Sequence, residues 1–160
     1  VASTLKRLPR DNIDIQQIAK LLQADTLASK ATLLAKRASF GLMFSDNLSA
    51  FANLADKSFS SPITSIAQEY KESATESLQS AMESFDAADK EYEGLKFKPA
   101  CPVVLNRTMS LIEKSQLAML FDDTQVYSDT VDKIKTYQND IADCGEEFRN
   151  SYILKKIQEL

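Results

Sequence analysis

From Asp11 onward, long stretches in which apolar residues recur every three or four positions are separated by short polar or proline-marked breaks. That spacing is the signature of amphipathic α-helices, whose turn holds 3.6 residues. The first stripe, Ile15, Ile18, Leu22, Leu27, Ala31, Leu34 and Ala38, predicts a helix from 12 to about 40 with Asp11 as its cap. Gly41 then interrupts, and Ser45-Asp46-Asn47 either starts a new element or kinks the old one. Leu48, Phe51, Ala52, Ala55 and Phe59 keep helical spacing, which predicts a short second helix over 46–59.

Ser60-Ser61-Pro62 reads as a restart, with Ser61 as N-cap and Pro62 at the first helical position, where its missing N–H costs nothing. Ile63, Ile66, Ala67, Tyr70, Ala74, Leu78, Ala81, Phe85, Ala88 and Tyr92 then hold one stripe, about 45 Å of helix that Gly94 closes. The stripe is rich in alanine, which lets neighbouring backbones approach closely. Glu69, Glu72, Glu76, Glu83 and Asp86 form its solvent face. Lys98-Pro99-Ala100-Cys101-Pro102 is a helix-free connector, because proline cannot continue a helix and restricts the residue before it. Val104, Leu105, Met109, Ile112, Leu117, Leu120 and Phe121 make the next face, which stops at Asp122-Asp123. Thr124 caps a last helix over 125–158, with Tyr127, Val131, Ile134, Ile141, Phe148 and Tyr152 on heptad-like positions and Gly145 on the same seam.

These lengths bring the two cysteines together. A helix descending from 103 travels about 27 Å, and the return helix from 124 climbs about 30 Å by residue 144, so Cys144 comes back to the level of Cys101. A disulfide requires that geometry, and its presence implies an oxidising compartment. Two separate buried thiols are the alternative.

The expected fold is therefore all-α: an up-and-down antiparallel bundle of four long helices plus a short one, stapled by one disulfide. Residues 1–10, with Lys6, Arg7 and Arg10 around Pro9, read as a flexible basic arm, and 11–160 as a single domain. Three glycines and four prolines in 160 residues supply too few tight turns for many short strands. The charge alternates in sign along the chain, positive over 1–40, negative over 41–97, positive over 98–121 and negative over 122–160, as weak attraction between neighbouring helices favours. A net charge of -4 argues against nucleic acid, which needs a positive surface. No apolar run reaches the ~20 residues that span a bilayer. Val1 opens on a polar stretch without a signal-peptide core, which leaves a cytosolic protein or one whose signal is already removed. The sequons at Asn47 and Asn106 are glycosylation candidates compatible with export.

Candidate chemistry is sparse. The chain has no histidine, the commonest general base and transition-metal ligand, and its two cysteines cannot by themselves make a zinc site. Gly41, Gly94 and Gly145 form no phosphate loop, so neither cofactor nor metal is expected. Asp122-Asp123 and Glu146-Glu147 read as a helix-start cluster and a solvated face rather than as catalytic pairs. The unusual feature is residues 40–59, which place half of the eight phenylalanines in one short stretch. Phe40, Met43, Phe44, Phe51 and Phe59 are the candidate ligand-binding residues, lining an apolar pocket or offering a surface to a partner, with capping of the bundle end as the plain structural alternative.

The stretch from Cys101 to Phe148 resembles the plant invertase and pectin methylesterase inhibitor family: a cysteine opening one helix, a polar break, a second helix, and Cys144-Gly145-Glu146-Glu147-Phe148. The resemblance covers under a third of the chain, and the family's N-terminal cysteine pair has no counterpart here. It implies an extracellular helical bundle that acts by binding an enzyme. The expectation is thus a secreted, non-enzymatic binding protein with an extracellular protein partner, and a carrier of a fatty acid or other apolar molecule is the alternative.

Overall fold

The structure, a computed structural model, describes residues 15–96, 101–137, 140, 141 and 144. It is a helical bundle of four α-helices, with no strand among the described residues: α1 (Ile15–Leu54), α2 (Lys57–Glu93), α3 (Cys101–Leu120) and α4 (Thr124–Thr136). The Cys101–Cys144 disulfide is present, with the Cα atoms 5.5 Å apart. The expected basic arm at 1–10, the cap at Asp11, and Gly145, Phe148 and Tyr152 lie outside the described residues. The expected last helix over 125–158 is shorter in the structure: α4 ends at Thr136 with Tyr137 as its C-cap, Cys144 lies in a turn beyond it, and 145–158 are outside the described residues.

Helix α1 is continuous through both expected breaks, and no separate short helix over 46–59 forms. Gly41 does not interrupt because it serves packing: a Cβ built there would lie 2.9 Å from the Ala74 Cβ and 3.3 Å from the Tyr70 carbonyl oxygen. Ser45 is buried in the same seam. The turn falls instead at Ala55–Asp56, and the amides of Phe59 and Ser60 both close on the Asp56 carbonyl, so α2 begins at Lys57 rather than after Ser61. Pro62 sits inside α2 on an exposed face, where water can replace the hydrogen bond that the Ser58 carbonyl loses. Gly94 ends α2 where expected. Helix α3 starts at Cys101 itself, with Pro102 in its first turn, so the connector is shorter than the sequence implied. The cap of α4 is Asp123, which accepts a hydrogen bond from the Val126 amide at 3.1 Å, and not Thr124. Asp122 takes the left-handed φ of 59° that so tight a turn demands, a conformation aspartate tolerates better than most residues.

The core of α1 is also shifted from the expected stripe. Ile15 is exposed, whereas Leu21, Ala24, Ala31, Ala35, Ala38 and Ala52 are buried against Ala67, Ala74, Ala81 and Ala88 of α2. This seam of small side chains lets two helices of about 60 and 55 Å lie close along their whole length. Helix α3, only about 30 Å long, fills the groove between them with Val103 and Leu117, and Ile134 of α4, with Ile141 beyond its end, covers α3 at Leu111 and Ile112. Because α3 is surrounded, it is buried on more than one face, and Thr108 and Ser115 satisfy their hydroxyls on their own helix, at the carbonyls of Val104 and Ile112.

Two stability tests follow from this packing. Replacing both cysteines by serine should cost roughly 4 kcal/mol, the chain-entropy value for a loop of this length, read from the urea midpoint. Gly41→Leu should cost about 1–3 kcal/mol by forcing α1 and α2 apart, again from the urea midpoint, with little change in helicity by circular dichroism.

Candidate functional site

The difference in helix length defines the exposed surface. Helix α3 ends beside Ser39 and Phe40, so α1 from about 40 and α2 to about 74 continue beyond it as a two-helix spur of roughly 22–27 Å. The body buries Leu21, Phe85, Val103 and Ile112, with Ile15, Leu33 and Met119 exposed singly, whereas on the spur the exposed apolar residues lie together. Phe51 is 59 % exposed, Phe59 65 % and Leu54 87 %, and Phe40, Phe44, Ile66 and Tyr70 are also open. The stretch 38–68 carries only three charges, Asp46, Asp56 and Lys57, so the spur is apolar without a polar screen. That low charge density is legible in the sequence, as is the phenylalanine cluster.

The five candidate ligand-binding residues do not converge. Phe40 and Met43 line an open groove of about 530 Å³ between α1 and α3, whose walls are Ala35, Leu117 and Leu120, with Lys36, Ser39 and Gln116 at its polar rim. There the Thr32 hydroxyl donates to the Glu113 carboxylate across the two helices. Phe44 turns instead toward α2 and stacks on Tyr70, ring centres 5.5 Å apart. Phe51 and Phe59 stand farther out on the spur. The groove wall contributed by Leu117 and Leu120 was missed by sequence reasoning, since nothing local says which face of α3 meets α1.

Of the two sequons, Asn47 is exposed on the spur, and the Asn106 amide donates to Asp25 at 3.4 Å between α3 and α1. Asp25 also accepts from the Tyr92 hydroxyl at 2.8 Å, so one carboxylate ties three helices together.

The charged centre of the molecule lies elsewhere, where α2, α3 and α4 meet. Asp89, 8 % exposed, receives the Arg107 guanidinium at 2.6 Å and the Lys133 ammonium, while Glu93 takes the same two cations at 3.0 and 2.7 Å. Arg107 also lies 4.4 Å above the Tyr137 ring, a cation–π contact. Every charge here has a partner, and the cluster clamps α2, α3 and α4 together. Among the described residues no group of three histidine, cysteine or acidic side chains is placed to hold a metal ion, and no described helix is long and apolar enough to cross a membrane.

Burial by itself would lower the Lys133 ammonium, but Asp89 and Glu93 outweigh it and hold the group above its usual value. Burial raises the Tyr137 phenol, with Asp89 and Glu93 adding to the shift and Arg107 and Lys133 opposing it. Both groups therefore keep their protons more tightly in the folded chain, so their contribution is complete below about pH 10 and is lost as pH rises through the raised values. The urea midpoint should stay level from pH 7 to about 9.5 and then fall, and in Lys133→Gln the alkaline fall should be shallower.

Comparison of the chain with protein-family models, with curated proteins and with solved structures gives no match, so the functional reading rests on residues and geometry.

Proposed function

We propose that this chain is a non-enzymatic, extracellular binding protein that engages a protein partner through the apolar spur at the ends of α1 and α2. The observation that carries the reading is the inversion of burial along one pair of helices: the same two elements hide Leu21 and Phe85 in the body and present Phe40, Phe44, Phe51, Leu54 and Phe59 to water on the spur. Burying such a side chain is favourable by about 1.5–3 kcal/mol, so a surface of this kind gains most when something covers it. Aromatic-rich, charge-poor patches are typical of the centres of protein interfaces. An oxidising compartment is supported by the disulfide, which cytosolic reductants would oppose.

The contact pattern supports an up-and-down arrangement of the helices. Gln23 reaches Glu91, Arg37 reaches Ser73 and Phe44 meets Tyr70, so position rises in α1 as it falls in α2. Thr32 with Glu113 and Asn106 with Asp25 run in step along α1 and α3, and the disulfide with the Arg107–Tyr137 contact returns α4 along α3. Enzyme inhibition is the form of binding that the resemblance of 101–148 to the plant inhibitors implies.

The groove between α1 and α3 supports a second reading, a carrier of a fatty acid or similar molecule, with its chain against Phe40, Met43, Leu117 and Leu120 and its polar head at the Lys36 rim.

Placing a photo-crosslinking phenylalanine analogue at position 51 should give protein adducts in extracellular fluid of the source, and the same group at Glu83 on the body should give none. Equal labelling from both positions would remove the spur from its role. Native mass spectrometry of the purified protein separates the two readings, since a co-purifying apolar molecule retained by the wild type and lost in Leu120→Asp, at an exposed wall of the groove, is the carrier's signature.

A further inference from the structure

The apolar surface of the spur is concentrated on one flank. In α1, Phe44, Leu48 and Phe51 follow spacings of four and three; in α2, Phe59, Ile63, Ile66 and Tyr70 do the same. The Phe44–Tyr70 stack sets the pairing of the two stripes, which puts Leu48 level with Ile66 and Phe51 level with Ile63. They run side by side from that stack to the turn at Ala55–Asp56, about 17 Å. None of these positions is charged. Asp46, two residues from Phe44, lies about 200° around the helix and so off the flank.

We propose that this flank is a self-association surface, on which a second copy of the chain packs flank to flank across a two-fold axis. Each copy supplies two helices, so the pair makes a four-helix cross-section at the spur, on the flank that α3 leaves open in the body as well. The area is sufficient: at about half exposure, Phe44, Phe51, Phe59, Ile66 and Tyr70 each offer roughly 100 Å², hence about 1,000 Å² in total from the two copies, where a specific interface begins. An uncharged face also meets its own copy without like-charge repulsion, and a two-fold contact needs only that the patch complement itself. A bilayer surface fits less well, because anionic lipid attracts basic clusters and 38–68 has one cation against two carboxylates.

This inference rests on the spur being a binding surface and names its partner. Sedimentation equilibrium on the disulfide-bonded full chain at about 1–100 µM should give twice the 17.8 kDa of the single chain. Phe51→Asp and Ile66→Asp, one on each stripe, should each weaken the dimer at least tenfold with unchanged circular dichroism. Met119→Asp, which removes an exposed apolar residue on α3 outside the spur, should leave the dimer intact. A wild type that stays monomeric throughout the range, or a dimer indifferent to both stripe variants, overturns the inference. If that monomer still forms adducts from position 51 with a different protein, only the identity of the partner has failed; if it forms none, the spur reading fails with it.

Discussion

The close approach of α1 and α2 governs the rest of the molecule. Alanines line both sides of their seam, and at Gly41 even a methyl group would meet Ala74 at 2.9 Å. A seam that narrow has no room for large side chains, so the larger apolar residues of both helices stand on the flanks. Where a third helix is present the arrangement forms a core: Leu34, Leu78, Met82 and Phe85 gather around Leu117 of α3. On the flank turned away from α3 the body carries polar residues, Gln23 with Glu91 and Arg37 with Ser73, whereas the same stripe on the spur carries Phe44 and Phe51, seven and fourteen residues on from Arg37. The exposed apolar spur thus results from a change of side-chain character along one outward stripe of α1 beside a seam too narrow to take large residues.

Attachment of the second helix pair relies on a different chemistry. Helix α3 is held by apolar contacts, by the Asp25 carboxylate and by the cations that converge on Asp89, while α4 depends on its face toward α3 together with the disulfide near its end. A buried charge cluster of this kind need not add net stability over an apolar core, but removing one member strands the others, and this fixes the register of α2, α3 and α4. The stapled hairpin and the alanine-seamed hairpin are therefore two units of unlike construction joined through α3.

Function is read from the part of the fold that lacks a structural reason. The charge cluster is internally paired and the cysteines are bonded, which leaves the spur and the groove beside it as surfaces whose composition internal packing does not explain. They share a boundary at Phe40 and Met43 but face different ways, so occupation of one does not require the other to be empty.

By itself the sequence determined the helical class, the cysteine pair and the aromatic concentration at 40–59, because periodicity, helix length and local composition are properties of neighbouring residues. It misplaced the break between the first two long helices, since Gly41 and Ser61-Pro62 look like punctuation when only neighbours are considered. In the folded chain Gly41 is explained by Ala74, thirty-three positions away, and the true turn at Ala55–Asp56 carries no strong local signal. Of the expected stripe in α1, Ala31 and Ala38 lie in the seam and Leu27 and Leu34 beside it, while Ile15 is exposed and Ala24 and Ala35 take buried places, because hydrophobicity ranks large residues first whereas helix proximity selects small ones. Only the tertiary structure decided that Phe44 stacks on Tyr70, that Phe40 meets Leu117 and Leu120 across a groove, and that Phe51 and Phe59 are left outside. Those outcomes depend on where α3 stops relative to α1 and α2, a comparison of lengths between distant segments that no local pattern records.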